Sequence, residues 1–326
     1  VADAATRLPA RPEPPLSVAI SDCLTGAEVR FDGSHKRSSL PHAVLDGLFS
    51  WRGYCPEVAI GMGVPRAPIR LVGSAESPRV VGVKDATVDV TDALREYGRR
   101  VVPELGDIVG FVFMKNSPSC GLFRVKVYPG PGKAPTGSGR GVFAAEITAA
   151  LPHLPVEESG RLSDPVLLEN FVTRTFAYAH WRCVQQHGLT AARLIAFHSA
   201  YKYLLMAHSI TAYRAAGKLL ADLSGDVADI GGQYLGVLMR GLARPAKRGG
   251  HANVLQHLQG YVKKELDSAT RQEFAELTQA YRRGEVPLLA PLTLLKHHLR
   301  RFPDRYALEQ IYLNPHPAVA GLRRAL

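Results

Sequence analysis

Residues 108–121 read Ile-Val-Gly-Phe-Val-Phe-Met-Lys-Asn-Ser-Pro-Ser-Cys-Gly. The first seven are continuously apolar, which predicts a β-strand covered on both faces, as in the interior of a parallel sheet. Outward from it, Ser17-Val18-Ala19-Ile20 and Val80-Val81-Gly82-Val83 also read as strands, and Leu48–Tyr54 is a further candidate. Leu40–Phe49, Asp89–Leu105 and Gly141–Leu151 read as helices, the second with Asp89 or Thr91 as its N-cap. Strands alternating with helices predict an α/β, doubly wound, Rossmann-like domain with a mostly parallel sheet over residues 17–155.

From Asp164 the periodicity changes. Val166–Gln186, Ala191–Ala216, Ile230–Leu242, Ala252–Leu266, Thr270–Arg283 and Leu288–Arg301 repeat apolar residues at three- and four-residue spacing, with breaks at Gly188, Gly225, Pro245, Gly284 and Pro303. This predicts an all-α helical domain over residues 164–326. Leu154–Ser163, with Pro155, two acids and Gly160, reads as the linker. The proline-bearing residues 1–16 read as a disordered leader outside the fold.

The chain has 326 residues, 46% hydrophobic and 21% charged, a globular composition that excludes disorder along most of its length. No apolar run reaches the roughly 18 residues that span a bilayer, and the N-terminus lacks the apolar core of a signal peptide. A cytoplasmic protein with no membrane partner is expected. Lys and Arg total 40 against 29 Asp and Glu. Residues 1–155 carry a net charge of +3 and residues 156–326 a net of +8. A polyanion such as RNA is the simplest partner for that asymmetry, and a solvated basic surface is the plain alternative.

Four cysteines, Cys23, Cys55, Cys120 and Cys183, lie far apart, with no C-x-x-C pair to signal a metal site. The predicted sheet makes three of them informative. Cys23, Cys55 and Cys120 each follow a predicted strand, and in an open α/β sheet the loops beyond the carboxyl ends of the strands share one crevice. Three thiolates without a fourth local partner admit zinc or an iron–sulfur cluster. With few histidines near them the cluster is favoured, leaving one iron open as a Lewis acid suited to a sulfur-bearing substrate. Cys183, inside an apolar helix, reads as core.

The words around these cysteines are Ser21-Asp22-Cys23-Leu24-Thr25-Gly26, Arg30-Phe31-Asp32-Gly33, Cys55-Pro56-Glu57-Val58 and Ser117-Pro118-Ser119-Cys120-Gly121. Together they resemble the thiouracil desulfidase family, whose motifs read S-A-C-L-L-G, R-Y-D-G, C-P-E-V and S-P-S-C-G in the same order. The resemblance implies a [4Fe-4S] cluster held by Cys23, Cys55 and Cys120 with one open iron. It also implies a non-redox loss of sulfur in which Glu57 and Ser117 assist. Ser119, Asp32 and Arg66 are candidates for orienting substrate; for Asp32 a turn before Gly33, and for Arg66 a simple ion pair, are the bland alternatives. This chain departs from the family at Val29, where a further Cys is frequent, and at Asp22, an added carboxylate beside the first thiol. Gly137–Gly141, reading Gly-Ser-Gly-Arg-Gly, has the look of a phosphate cradle opening a helix.

The second half resembles the YbgA-like domain through Phe197-His198-Ser199, Lys202-Tyr203, Ala207-His208, His251-Ala252-Asn253-Val254-Leu255, His257, Gly260-Tyr261, Tyr281-Arg282, Pro287-Leu288 and Tyr312-Leu313-Asn314-Pro315. A metal site from His198, His208, His251 and His257 lacks the i, i+4 spacing and an interleaved carboxylate, so satisfied core histidines are the expectation. Lys247, Arg248, Lys263, Lys264, Arg282, Arg283, Arg300 and Arg301 are candidates for tracking RNA phosphates, with Tyr201, Tyr203, Tyr261 and Tyr281 available for stacking on bases. The two-domain arrangement resembles tRNA 4-thiouridine desulfidases, which implies tRNA or another thiolated RNA as partner; a homodimer is left open. Competing readings are desulfuration of free thiouracil, the reverse thiolation of RNA, disfavoured by the lack of a nucleotide-binding motif, and a cluster-bearing RNA-binding or redox-sensing protein.

Overall fold

The computed structural model describes residues 7–130, 133–317, 322–323 and 326. The chain divides into two compact units, one formed by Glu13–Asp164 and the other by Pro165–Leu326 with the chain up to Pro12.

The first unit runs β1 (Leu16–Ser21), α1 (His42–Leu45), β2 (Phe49–Tyr54), α2 (Pro56–Ala59), β3 (Ile69–Gly73), β4 (Pro78–Gly82), α3 (Thr91–Val101), β5 (Phe111–Phe113), β6 (Val125–Tyr128), β7 (Gly137–Gly139), α4 (Val142–Ala150) and β8 (Val156–Glu158). One four-stranded sheet has the order β2-β1-β5-β8, and all of its pairings are parallel. The continuously apolar stretch holds its expected place, with Phe111, Val112 and Phe113 fully buried on β5. A second sheet, β4-β3-β6-β7, is mixed, with only β3 and β6 parallel. The predicted strand at 80–83 therefore contributes β4 to this second sheet and pairs antiparallel to β3.

Helix α4 packs on both sheets, and α3 packs on α4 and the second sheet. Phe143 on α4 meets Phe111 and Phe113 edge-on at ring distances of 6.1 and 6.4 Å. Leu94 of α3 and Val142 of α4 join Leu71, Val80, Val125 and Val127 of the second sheet in one apolar cluster. Gly98 allows the two helices to approach, because a Cβ there would stand 2.8 Å from Cβ of Glu146. The Asp89 carboxylate accepts the Thr91 backbone N–H at 2.9 Å, which holds the start of α3.

Several expectations are corrected. The helix expected over Leu40–Phe49 is the single turn α1, because Phe49 already pairs with Leu16 in the sheet. Leu154–Ser163 is no linker: β8 pairs with β5, and Glu157 and Glu158 are buried. With a single apolar residue in Val-Glu-Glu, its strand character comes from sheet pairing and not from local pattern. Gly137–Gly141 is no phosphate cradle, since Gly137–Gly139 pairs antiparallel with β6. The first N–H groups of α4 are already taken, Val142 N donating to Pro118 O and Ala144 N to Ser119 O, both at 3.1 Å.

The helical unit comprises α5 (Pro165–Gln186), α6 (Ala191–His208), α7 (Ile210–Leu219), α8 (Val227–Leu242), α9 (Arg248–Val262), α10 (Ser268–Arg283), α11 (Leu289–Arg301) and α12 (Arg305–Leu308). The single helix expected over Ala191–Ala216 breaks at Ser209, whose side chain caps α7 by accepting Ala212 N at 3.1 Å. α5 is buried along most of its length and ends in an aromatic cluster of Trp181, Phe197, Tyr201 and Tyr234. Residues 7–12, expected to be a free leader, lie against this unit. His180 Nε2 donates to Pro9 O at 2.9 Å, and Arg11 donates to Asn314 O at 2.6 Å. Cys183 is half-buried and not core, its Sγ 3.7 Å from Ala10 O. No helix among the described residues is long and apolar enough to cross a membrane.

Two buried histidines make this unit acid-sensitive. Burial lowers the pKa of His180 to about 4 and that of His251 to about 3. Both folded values lie below the ordinary value near 6.5, so the unfolded chain binds the protons more readily and stability is lost as pH falls from about 6.5 toward those values. The loss for each is up to about 1.4 kcal/mol per pH unit in that window. Urea unfolding followed at pH 7 and pH 5 is expected to show a clear drop in the midpoint of the helical unit; identical midpoints would contradict the assignment.

Candidate functional site

Because β1, β2 and β5 are parallel, their carboxyl ends open on the same edge of the first sheet. Ser21 of β1 is level with Tyr54 of β2, and Ile20 with Val112 of β5. The chain reaches Cys23 two residues beyond β1, Cys55 one residue beyond β2, and Cys120 in the loop after β5. All three thiols line one cavity of about 370 Å³, together with Asp22, Arg30, Glu57, Arg66, Lys115 and Ser117. Burial raises all three pKa values, that of Cys23 to about 11 and that of Cys120 well above the usual thiol value. Charge on the neighbouring thiols raises those of Cys23 and Cys120 further, whereas Arg30 opposes the rise at Cys23.

The Cys120 loop is held by backbone packing. Ser117 Oγ accepts the N–H groups of Ser119 and Cys120 at 3.2 and 3.1 Å, and Gly121 N donates to Ser117 O at 2.8 Å. The loop then rests on the start of α4. A Cβ at Gly141 would stand 2.6 Å from the carbonyl carbon of Ser119 and 2.8 Å from Cys120 N, so a glycine there is what permits the contact. Ser117 thus serves as a turn anchor and also faces the cavity.

Glu57 is fixed at both oxygens. Arg66 Nε donates to Oε2 at 2.8 Å and Ser119 Oγ donates to Oε1 at 2.8 Å. Arg66 also donates to Gly63 O and Val29 O, both at 2.9 Å, and its side chain is only 5% exposed. The position where the family often carries Cys therefore contributes its carbonyl, which also accepts from Cys55 Sγ at 3.7 Å. Asp22 faces the cavity, and its carboxylate lies over Gly53 of β2, which has no side chain to obstruct it.

Two expected site residues are displaced from the substrate role. Ser119 is fully buried beneath Glu57, so it orients the carboxylate and does not meet a ligand. Asp32 is exposed and outside the cavity lining; its carboxylate accepts Ser34 N and Oγ at 3.1 and 2.6 Å, which makes it the turn residue of the bland alternative. Arg30, which opens the Arg-Phe-Asp-Gly word but was not among the expected site residues, also lines the cavity. Its guanidinium acts on the Cys23 thiol, and its buried Nε has no hydrogen-bond partner among the described residues, Asp32 Oδ1 standing 3.9 Å away. Lys115 and Asn116, also unforeseen, line the cavity from the turn after β5, where Asn116 takes a left-handed φ of 60°.

In the helical unit Lys247, Lys263, Lys264, Arg282 and Arg300 are exposed. Arg248 donates to Tyr281 O at 3.3 Å and lies over its ring, Arg283 pairs with Glu285 at 2.6 Å, and Arg301 lies over Phe302. Those three have structural partners in place of free charge. Tyr201, Tyr203 and Tyr281 are buried and closed to stacking, which leaves Tyr261 at 37% exposure. The histidines contact different groups: His198 meets Tyr234 OH, His208 donates to Arg244 O, and His251 meets Tyr312 OH. Among the described residues no three His, Cys, Asp or Glu side chains form a group that could hold a single metal ion.

Comparison with known proteins divides at the same place as the fold. The family model described as 2-thiouracil desulfurase matches residues 18–159, and that of a family of proteins of unknown function, DUF1722, matches residues 202–317. The chain is 38% identical over 159 residues to an uncharacterized protein of Escherichia coli K12, YbgA, which is 48% of this chain and 94% of YbgA. It is 30% identical over 140 residues to an uncharacterized protein of Bacillus subtilis 168, YbbK, which is 41% of this chain and 87% of YbbK. Among solved structures, the [4Fe-4S]-dependent thiouracil desulfidase TudS aligns with a TM-score of 0.34 and 24% identity, covering 47% of this chain and 97% of TudS.

The glycine under the Cys120 loop gives a direct test of the site's construction. Gly141→Ala must push backbone atoms of Ser119 and Cys120 away from α4. Overpacking of this kind costs about 1–3 kcal/mol. Thermal unfolding should show a lowered midpoint for the first unit and Cys120 should react faster with alkylating reagents; unchanged values for both would mean that the loop is not held by this contact.

Proposed function

Because the chain belongs to the 2-thiouracil desulfurase family over residues 18–159 and to the DUF1722 family over residues 202–317, we propose that it is an iron–sulfur desulfidase acting on a thiolated uracil, with 4-thiouridine in tRNA as the substrate. The observation that carries the reading is the meeting of three thiols from distant parts of the chain in one cavity that also holds Glu57 and Ser117.

The donor set fits a [4Fe-4S] cluster. The ligands are all sulfur, and burial makes each thiolate costly until a cation compensates it, as metal coordination does. A single ion with bonds near 2.3 Å would draw its sulfurs to within about 4 Å of one another. Among the described residues no three His, Cys, Asp or Glu side chains group around one ion, so a polynuclear group, which Cys23, Cys55 and Cys120 would hold, fits the cavity better than a lone ion. When bound through Cys23, Cys55 and Cys120, such a cluster supplies an open iron as a Lewis acid for the thiocarbonyl sulfur.

The remaining work falls to the chain's own groups. Overall, the carbon–sulfur bond breaks, water supplies the oxygen, hydrosulfide and a proton leave, and no electrons are gained or lost. Glu57, clamped by Arg66 and Ser119, holds its carboxylate at a set place in the cavity wall, where it takes a proton from water and returns one to the departing sulfur or ring nitrogen. Both lone pairs of Ser117 Oγ are occupied by the N–H groups of Ser119 and Cys120, so its own proton is directed to a substrate acceptor. Arg30 and Lys115 supply positive charge opposite the thiolates and hydrosulfide. The net charge of +8 over residues 156–326 supports a polynucleotide substrate.

The test is anaerobic reconstitution with iron and sulfide, followed by bulk tRNA and measurement of 4-thiouridine and hydrosulfide. Matched loss and release are expected, and Cys120→Ala should abolish both. Glu57→Gln should retain cluster absorbance and lose turnover by about 10²–10⁴-fold. Reaction of free thiouracil with tRNA untouched would return the substrate to the small base. An intact cluster with neither substrate consumed would refute the enzyme.

A further inference from the structure

The helical unit contains a cavity of about 760 Å³ that no part of the desulfidase reading uses. It lies where the end of α6, the start of α7, the end of α8 and the start of α9 meet, and Arg240, Arg244 and Lys247 stand around it. No Asp or Glu is among its lining residues. The three cations are exposed, and among the described residues no carboxylate lies within ion-pair distance of any of them. Three like charges at one opening repel each other, and only an external anion can compensate them.

The backbone is arranged to the same end. α9 begins Arg248-Gly249-Gly250, and its N-cap, Lys247, makes no side-chain cap. Gly250 N and His251 N turn back to Lys247 O at 2.9 and 3.1 Å, leaving the N–H groups of Arg248 and Gly249 without an acceptor among the described residues. Those donors add the positive end of a four-turn helix to the cations. Glycines build the floor. A Cβ at Gly250 would collide with Ala207 O, and one at Gly241 would stand 2.7 Å from Ala212 Cβ, so both α9 and α8 are seated directly on α6 and α7. His208 donates to Arg244 O at 2.8 Å and fixes the segment that carries Arg244 and Lys247.

We infer that this cavity binds a phosphodiester group of the RNA substrate through Arg240, Arg244, Lys247 and the first N–H groups of α9. The inference rests on the RNA reading above and gives it a specific place, of which only Lys247 was among the sequence candidates. The cavity lies within the range of about 300–1,000 Å³ usual for small-ligand sites, enough to admit a phosphate with its flanking ribose. It recognises backbone and not base, so affinity through it is independent of sequence and falls with salt.

The test uses the full chain and a fluorescently labelled, unmodified tRNA, whose lack of sulfur separates binding from desulfuration. Anisotropy titrations over a range of KCl concentrations compare the wild-type protein, Arg244→Gln/Lys247→Gln and Arg240→Gln. The double variant should bind at least about tenfold more weakly at low salt, with the slope of log affinity against log salt shallower by roughly 1–2. Arg240→Gln, on another wall, should move both in the same direction by about half as much, with circular dichroism and melting temperature as in the wild type. Wild-type binding that both variants retain in full would overturn the inference and leave the RNA reading standing. No tRNA binding by the wild type at 50 mM KCl would overturn the RNA reading itself. A rise in melting temperature with millimolar inorganic phosphate, lost in the double variant while RNA affinity is unchanged, would overturn the inference about this cavity and mark a free-phosphate site.

Discussion

Parallel pairing of β1 with β2 on one side and with β5 on the other is the constraint from which the site follows. Three segments that begin far apart in the chain must leave the sheet through the same edge, and each carries a cysteine just beyond its strand. The order β2-β1-β5 also places the change of winding direction between β1 and β5, which opens a crevice between the loops that follow them. Burial of β5 on both faces makes this arrangement stiff. Phe111 and Phe113 stack on one side of the strand, and Phe143 of α4 closes over them.

The chemistry is set on that frame by small residues and by one ion pair. Gly141 lets the Cys120 loop rest on α4, and Gly53 leaves room for Asp22. Arg66 gathers Glu57, Val29 O and Gly63 O around a single guanidinium, so the loop between β1 and β2 and the segment after β2 are held by the same group that orients the carboxylate. Such a multiply bonded, nearly buried Arg–Glu pair defines geometry more than it stabilises the fold. Two further cations, Arg30 and Lys115, line the same cavity as the thiols, and Arg30 acts directly on Cys23.

The helical unit follows a different logic. Its interior is aromatic and histidine-rich, with neutral imidazoles bonded to tyrosine hydroxyls and backbone carbonyls, while its uncompensated charge lies at the surface. Of the paired basic residues visible in its sequence, several are already engaged with a ring, a carbonyl or a carboxylate. Unpaired cations gather instead around the junction of four helices, where two glycines hold the backbones together.

The sequence by itself determined the two-part architecture, the strand at the centre of the first sheet and the three cysteines with Glu57, because continuous apolar runs, 3.6-residue periodicity and short words are local signals. It also placed most helices of the second half to within a few residues, since amphipathic periodicity is written along each helix, but not the break at Ser209 that divides Ala191–Ala216 into α6 and α7. Only the tertiary structure decided what depends on neighbours far along the chain. Val156–Glu158 is a strand because β5 offers it a partner, and Leu40–Phe49 loses its helix because β1 claims Phe49. Ser119 faces Glu57 and not the cavity, and Asp32 closes a turn, because side-chain direction is set by packing that no motif encodes. Arg240, Arg244 and Lys247 lie close together in the sequence, but that they open on one cavity with the end of α6 and the start of α9 follows only from the seating of α8 and α9 on α6 and α7 at their glycines.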